Sequence, residues 1–577
     1  MKPARFAISC LPLLFLLVCA PPALGRLPQA ERIPANSILA VGVDNTAAAW
    51  KKIEALPLTV AVRNYLTTGT MANNLDWQSF LLEQQKLGEK TGFPVTPAEI
   101  MGNVFSNVAA YAVQGKESGS YGFVVLAGVK DRAKAAKLIQ VFNEDVSAPT
   151  SDTLSEEQPK LEKIKIAGVD AWHLSDSSDL HVYYGLTGHG FVAGDSLEQV
   201  TAAMAEKAAG PGIGTNPQFN RLRDAINWDE SDVCIWYDAD AVLAMQPQVA
   251  SALKGLAGKT NKYAITFNVM RDGIVGRSVT GADPAPKVAS EQISMSGLKM
   301  IGASPLFAAD YGLFDAKDII NQLNQFGGSM GAMGGMGGMD LSSSVSAFEE
   351  ATSISLKNEL APALGTELIA AVNNFTPNTG GPMPNIDIIV GAKVKNAKLM
   401  QQVMTKFEKS LEVQMANNMV AAAMNGNAPT TPTFQTSTID GMKIRSLRMQ
   451  TGMVTLTPSY TITNGYLILS ISPEAVQAAG RRLQGKQPGL DKSPAYQALR
   501  QIAGSEAKPF SFSLLDVNHI AQKVVRPFLP LMASGAGVDM QDAMIIIDQI
   551  VSRTTTFASL DTRQGGLTRS YIKLQMK

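Results

Sequence analysis

Pro211-Gly-Ile-Gly-Thr-Asn-Pro-Gln-Phe-Asn-Arg-Leu-Arg223 and Pro488-Gly-Leu-Asp-Lys-Ser-Pro-Ala-Tyr-Gln-Ala-Leu-Arg500 are two readings of one pattern, 277 positions apart. Both stretches open on Pro-Gly and an apolar residue, then place a second proline, an aromatic and Leu-Arg at identical spacing. Proline at the first position of a helix supplies a ready φ and loses no needed N–H, so each stretch reads as a turn leading into a helix. Matches spread over thirteen residues without a gap point to an internal repeat, which takes precedence over local readings.

Working outward, the flanks agree while the offset drifts as loops change length. Ile166-Ala-Gly168 answers to Ile439-Asp-Gly441, and Ser196-Leu-Glu-Gln-Val200 to Ser472-Pro-Glu-Ala-Val476. Val233 to Asp238 answers to Ser511 to Asp516, and an Arg-x-Gly-x-x-x-Arg-Ser close recurs at Arg271 to Ser278 and Arg563 to Ser570. Near the start of each half, Ile100-Met-Gly102 pairs with Ala363-Leu-Gly365, and Val129-Lys-Asp131 with Val394-Lys-Asn396. The expectation is two tandem copies of one α+β unit, residues 26–282 and 288–577. A Pro-rich joint at 283–287, in Ala282-Asp-Pro-Ala-Pro286, denies the chain both helix and ladder strand.

Periodicity outlines one unit. Apolar strands are expected at Ser37 to Val43, Val108 to Val113, Phe123 to Val129, Ile164 to Leu174, Val182 to Leu186, Phe191 to Ala193 and Val233 to Asp238, with a closing hairpin over Tyr263 to Val279. Helices are expected after Asn45 or Thr46, around Trp77 to Leu87, at Pro97 to Met101, from Asp131, and over Leu197 to Ala208 and Gln218 to Ile226. Several strands are joined by short turns, which favours a mostly antiparallel sheet with helices packed on it over a doubly wound parallel one.

The Pro34-Ala-Asn-Ser37 lead into the first strand, Gly102 or Gly365 after an apolar pair, the Ser-x-Glu-x-Val segment and the Pro-x-aromatic-x-x-Leu-Arg helix before a strand ending in Asp together carry a resemblance. The chain resembles a family of exported bacterial proteins catalogued only as a domain of unknown function, the one numbered thirty-three fifty-two. The resemblance covers most of both halves. It implies an envelope or extracellular location and supplies no chemistry.

The first residues agree with export. Lys2 and Arg5 form a positive n-region, Phe6 to Ala20 an apolar run, and Ala23-Leu-Gly25 a small-residue cleavage site, so residues 1–25 read as a signal peptide. A retained anchor is disfavoured because Pro21-Pro22 ends a run too short to span. A lipoprotein reading through Cys19 meets Val18 where a small residue is wanted. No later stretch is apolar for long enough to form a transmembrane helix, so a periplasmic or extracellular protein is expected. Cleavage would remove Cys10 and Cys19, leaving Cys234 without an intramolecular partner, so stability must come from burial alone. The 50 basic and 50 acidic residues cancel, and losing two positive charges leaves about −2, with no field to hold nucleic acid.

Candidate sites are few. Asp238-Ala-Asp240 and Asp516-Val-Asn518 have carboxylates that suit a hard cation, yet Asp44, Asp131, Asp315 and Asn396 sit at similar strand-to-helix joints, where such residues cap helices. His173, His181 and His189, spaced by eight, resemble zinc ligands, but Gly185 and Gly188 interrupt a shared strand, and only His519 occurs elsewhere. Gly327-Gly-Ser329-Met-Gly331 matches a nucleophile elbow in letters only, because a helical pattern precedes the serine and a glycine run follows it. Cys234, among Val233, Ile235 and Trp236, reads as an inert buried thiol. In the Gly/Met-rich loop 327–339, Met330, Met333, Met336 and Met339 recur every third residue, a spacing of soft thioethers that suits Cu(I) or Ag(I). Seven glycines there favour a flexible insertion instead. Pro527 to Met532, with Met540 to Ile547, reads as core of the second unit rather than as a docking patch.

These observations point to a non-enzymatic exported binding or structural protein, with an unidentified envelope protein or ligand as partner. No catalytic residue and no cofactor is assigned. The alternatives are a hydrolase with a dispersed site, or copper handling through the methionine loop.

Overall fold

The computed structural model describes residues 27 and 29–577 apart from 69–74, 116–120, 148–158, 177–179, 209, 245–261, 282–294, 313–315, 317–340, 377–384, 424–432, 452–453, 528, 530–543, 545–546, 549–550 and 565–566. The signal segment, Asp315, the nucleophile-elbow motif and Met330, Met333, Met336 and Met339 lie outside the described residues. The architecture is α+β, and every described strand pairing is antiparallel. The chain divides into two compact units, Met1–Ala250 with Gly258–Asp283 and Gln575–Lys577, and Ser251–Ala257 with Pro284–Leu574.

The first unit contains β1 (Leu39–Val43), β2 (Phe105–Gln114), β3 (Tyr121–Val129), β4 (Lys160–Ile166), β5 (Val169–Ser175), β6 (His181–Thr187), β7 (Gly190–Gly194), β8 (Val233–Asp238), β9 (Lys262–Met270) and β10 (Gly273–Thr280). Their order across the sheet is β10-β9-β8-β1-β2-β3-β7-β6-β5-β4. The single β segment expected over Ile164 to Leu174 is a hairpin. Ala167 at φ 47° and Gly168 at φ 80° turn the chain in two residues, the left-handed pair that matches strand twist.

The second unit contains β11 (Phe307–Tyr311), β12 (Leu364–Thr376), β13 (Asn385–Val394), β14 (Phe434–Ile439), β15 (Met442–Leu447), the short β16 (Met449–Thr451) and β17 (Val454–Leu456), β18 (Ser459–Thr463), β19 (Tyr466–Ser470), β20 (Lys508–Leu515), β21 (Thr554–Gln564) and all but the last two residues of β22 (Leu567–Met576). Nine of these run β21-β20-β11-β12-β13-β19-β18-β15-β14, while β16 and β17 pair only with each other.

The deciding stretch does the same physical work in both units. Gly212 bridges Pro34 and Gly489 bridges Gly302, and a side chain at either glycine would strike the backbone of Ala30–Glu31 or Lys299. A single 3₁₀ turn then buries Ile213 or Leu490 completely. Asn216 caps the Pro217–Asp224 helix by accepting from the Gln218 and Phe219 amides, and Ser493 caps Pro494–Ala503 by accepting from Tyr496. The aromatic of the motif enters the core. Phe219 meets Trp228 edge-on at 5.3 Å, and Tyr496 meets Phe512 edge-on at 5.3 Å.

Candidate functional site

Of the described residues singled out at strand-to-helix joints, four act as helix caps, and Asn45 does so in place of its neighbour Asp44. Asn45, Asp131, Asp238, Asn396 and Asp516 each accept from a first-turn amide, at 3.0, 3.0, 3.2, 3.0 and 2.9 Å. Asp516 also holds the His519 ring at 2.9 Å through its second oxygen. These oxygens are committed to capping, so the sequence pattern reports helix starts.

Two of the three spaced histidines meet. His173 Nε2 lies 3.0 Å from His181 Nδ1, and Tyr183 stacks on the His173 ring at 4.5 Å. His189 is elsewhere, its Nε2 3.2 Å from the Ala203 carbonyl, with burial and the Arg32 charge holding its pKa down. Among the described residues no three His, Cys, Asp or Glu side chains converge as metal ligands. Cys234 is buried against the Trp228 carbonyl at 3.6 Å, and burial pushes its thiol pKa far up, away from the reactive thiolate.

The second unit contains ionisable clusters that sequence reasoning missed. Glu408, from the Ala397–Ala423 helix, accepts from Arg445 Nε at 2.7 Å and Nη2 at 2.5 Å, and from the Tyr460 hydroxyl at 2.6 Å. Arg445 also lies over the Phe434 ring, 5.7 Å from its centroid. Because carboxylate, guanidinium and phenol satisfy one another, this trio fastens helix to sheet.

A deeper cluster sits in the core. Asp310 on β11 and Glu367 on β12 are 1% and 0% exposed. Glu367 accepts from the Gly297 amide at 2.6 Å and from the Tyr466 hydroxyl at 2.5 Å, and that hydroxyl also lies 2.5 Å from Ser296 Oγ. Neither oxygen of Asp310 has a hydrogen-bond partner of good geometry. Burial and the neighbouring Glu367 charge drive the Asp310 pKa well above the carboxylate range. Burial likewise raises Glu367, against the opposing pull of Tyr466 and Gly297. The pair could not be seen in sequence because 57 positions separate its members and only the β11–β12 pairing brings them together. With so little exposure it has no route to a substrate.

The surface offers an open depression of about 290 Å³ beside β14 and β15, lined by Gln435, Thr436, Ser446, Thr457, Glu474 and Gln477 among others. Glu474 is the one titratable side chain in that lining, so no nucleophile–base pair is assembled there. More distinctive is the face of the second sheet opposite its core. Phe557, Leu515 and Phe307 stand in register on three adjacent strands at 38%, 37% and 37% exposure. Tyr311 and Leu368 pair two rungs further on at 44% and 37%, and Val390 adds 39%. Large apolar side chains clustered and partly exposed on one face mark a surface suited to a partner.

The stretch read as core rather than as a docking patch is mixed where it is described, with Pro527 exposed, Met544 half-buried, and Leu529 and Ile547 buried. Leu529 and Ile547 are 8% and 7% exposed and pack with Ala521. No helix among the described residues is long and apolar enough to cross a membrane. Compared with protein-family models, curated proteins and solved structures, the chain matches none.

Proposed function

We propose that this chain is an exported, non-enzymatic binding protein of the cell envelope, built by duplication of one α+β unit. The observation that carries the binding role is the apolar row Phe557–Leu515–Phe307 with its neighbours Tyr311, Leu368 and Val390. A folded surface gains by covering such side chains, at about 25 cal/mol per Å². Export rests on the n-region, apolar run and small-residue site of residues 1–25, and on the resemblance to the exported family numbered thirty-three fifty-two.

Duplication is supported by corresponding bonds and order. With β21, β20, β11, β12, β13, β19, β18, β15 and β14 set against β9, β8, β1, β2, β3, β7, β6, β5 and β4, each unit has the same neighbours. Asp238 N donates to Ile38 O as Asp516 N does to Leu306 O, both at 2.8 Å. Tyr184 bonds Asn143, and Tyr460 bonds Glu408, each reaching from strand to helix.

The test immobilises the mature protein and exposes it to envelope extract from its own cell, with Leu515→Glu as the control. The reading requires a component retained by the wild type and lost by the variant. Equal retention by both, or no retention at all, overturns it. A second reading, Cu(I) binding, is favoured by the spacing of Met330, Met333, Met336 and Met339. Titration with Ag(I) against a variant lacking 327–339 decides it, and equal heats reject it.

A further inference from the structure

Unpaired acids inside a hydrophobic core cost several kcal/mol unless they stay neutral or are compensated. The second unit nevertheless buries two of them on one face. Asp310 stands opposite Ile369 in the β11–β12 register, and Glu367 is two residues before Ile369 on the same strand, so the two carboxyls are diagonal neighbours. Around them are Leu298, Ile369, Phe512 and Leu514, all at most 5% exposed. Corresponding positions in the first unit carry no such pair. Gly42 pairs with Cys234 on β8 as Asp310 pairs with Phe512 on β20.

We infer that Asp310 and Glu367 share a single proton and act as a proton-dependent latch on the Ser296–Met300 turn. The arrangement gives each group a role. Glu367 is the charged member, since it already accepts two donors, the Gly297 amide and the Tyr466 hydroxyl. Asp310, which faces only the Leu298 amide and Glu367 and forms no well-aligned hydrogen bond, is the member that keeps its proton. While one proton is present, Glu367 ties the turn to β12 through Gly297, and Arg482 Nη1 binds the Met300 carbonyl at 3.0 Å. When the proton leaves, two adjacent negative charges remain in a site of low dielectric. The other ionisable groups that face them are Lys393 from β13, Tyr466 from β19 and Tyr496 from the Pro494–Ala503 helix. Lys393 is the sole cation among these, so two anions exceed the compensation, and the turn that Glu367 holds is the part free to open.

The sign follows from linkage. Folded, the pair keeps a proton that the unfolded or opened carboxyls release above about pH 4. The opened state therefore binds fewer protons, and closure weakens as pH rises. One proton corresponds to a tenfold change in the opening constant per pH unit, up to the pH at which the pair finally ionises.

Hydrogen exchange of the Gly297 amide in the full-length protein, corrected for intrinsic rate, reads this directly between pH 5 and 8. The expected result is an opening constant that rises with pH, with a slope approaching tenfold per unit while the folded pair keeps its proton. In Asp310→Asn the expected result is a clearly shallower profile, because the amide cannot ionise and only Glu367 is left to titrate. Equal slopes in wild type and variant overturn the latch. If Asp310→Asn does not fold, Asp310→Gly, which takes the residue of the first unit, is measured in the same way. A flat wild-type profile overturns the latch without either variant.

Discussion

Gly489 has no side chain because the Lys299 backbone occupies the space a Cβ would need. Gly489→Ala forces that backbone aside in an otherwise closed core, and a loss of about 2–3 kcal/mol is expected in a denaturant titration. Gly485, at φ 76° with nothing within 4 Å, has open space and is limited by its conformation instead. Cys234 illustrates burial acting on chemistry. Its thiol, 1% exposed and shifted upward, is expected to resist alkylation at pH 8 in the native protein and to react once denaturant is added. Native labelling at the rate of a free thiol would show that the core opens around Trp228. At Glu408 the prediction concerns removal of one partner. Glu408→Ala leaves Arg445 and Tyr460 without their acceptor at a site 9% exposed, and about 2 kcal/mol is expected to be lost in thermal or chemical melts.

Among elements, the hairpins show how turn chemistry and strand pairing cooperate. The β4–β5, β14–β15 and β18–β19 turns use Ala167-Gly168, Asp440-Gly441 and Asn464-Gly465, all with positive φ at both residues. Asp and Asn tolerate that conformation and Ala does not. Ala167→Asn is therefore expected to stabilise the first unit by about 0.5–1 kcal/mol, read as a higher melting temperature. The same comparison corrects a pairing drawn from sequence. Ile100-Met-Gly102 and Ala363-Leu-Gly365 look alike, but the carbonyls that receive the paired amides after β3 and β13 are those of Val104 and Ala363. Lys130 and Asp131 donate to the first, Lys395 and Asn396 to the second. The bulge at the start of β2 adds one residue to its strand and that at the start of β12 adds two, so the two strands differ there by a single position.

For the whole molecule, ionisation sets opposite trends at the two ends of the pH scale. Half-buried Glu99 and Glu359 and exposed Asp440 have their pKa lowered by hydrogen bonds to Lys134, Lys406 and Arg481, so whatever stability they contribute is lost as pH falls through their folded values. Asp310, Glu367, Asp387 and Asp561 are raised chiefly by burial, so the folded state is favoured at low pH and loses that advantage as pH rises. The ion pairs are screened by solvent, and the buried group outweighs them. Melting temperature is expected to be higher near pH 5 than near pH 8. Calorimetry across that range measures it, and a maximum at pH 8 would contradict the weight given to the buried acids.

Much of the architecture was legible along the chain, for a physical reason. Caps, two-residue turns and helix-starting prolines are settled within a few residues, so Asn216-Pro217, Ser493-Pro494 and Asp440-Gly441 announce themselves locally. Alternating apolar residues likewise placed most strands. What the tertiary structure alone decided is which distant side chains meet and which stay uncovered. Asp310 joins Glu367 and Tyr466 only because β11, β12 and β13–β19 lie side by side. Phe307, Leu515 and Phe557 become one exposed row only through strand register. Local free energy selects turns and caps from neighbouring residues, whereas burial, and the pKa values that follow from it, depend on everything folded around a group.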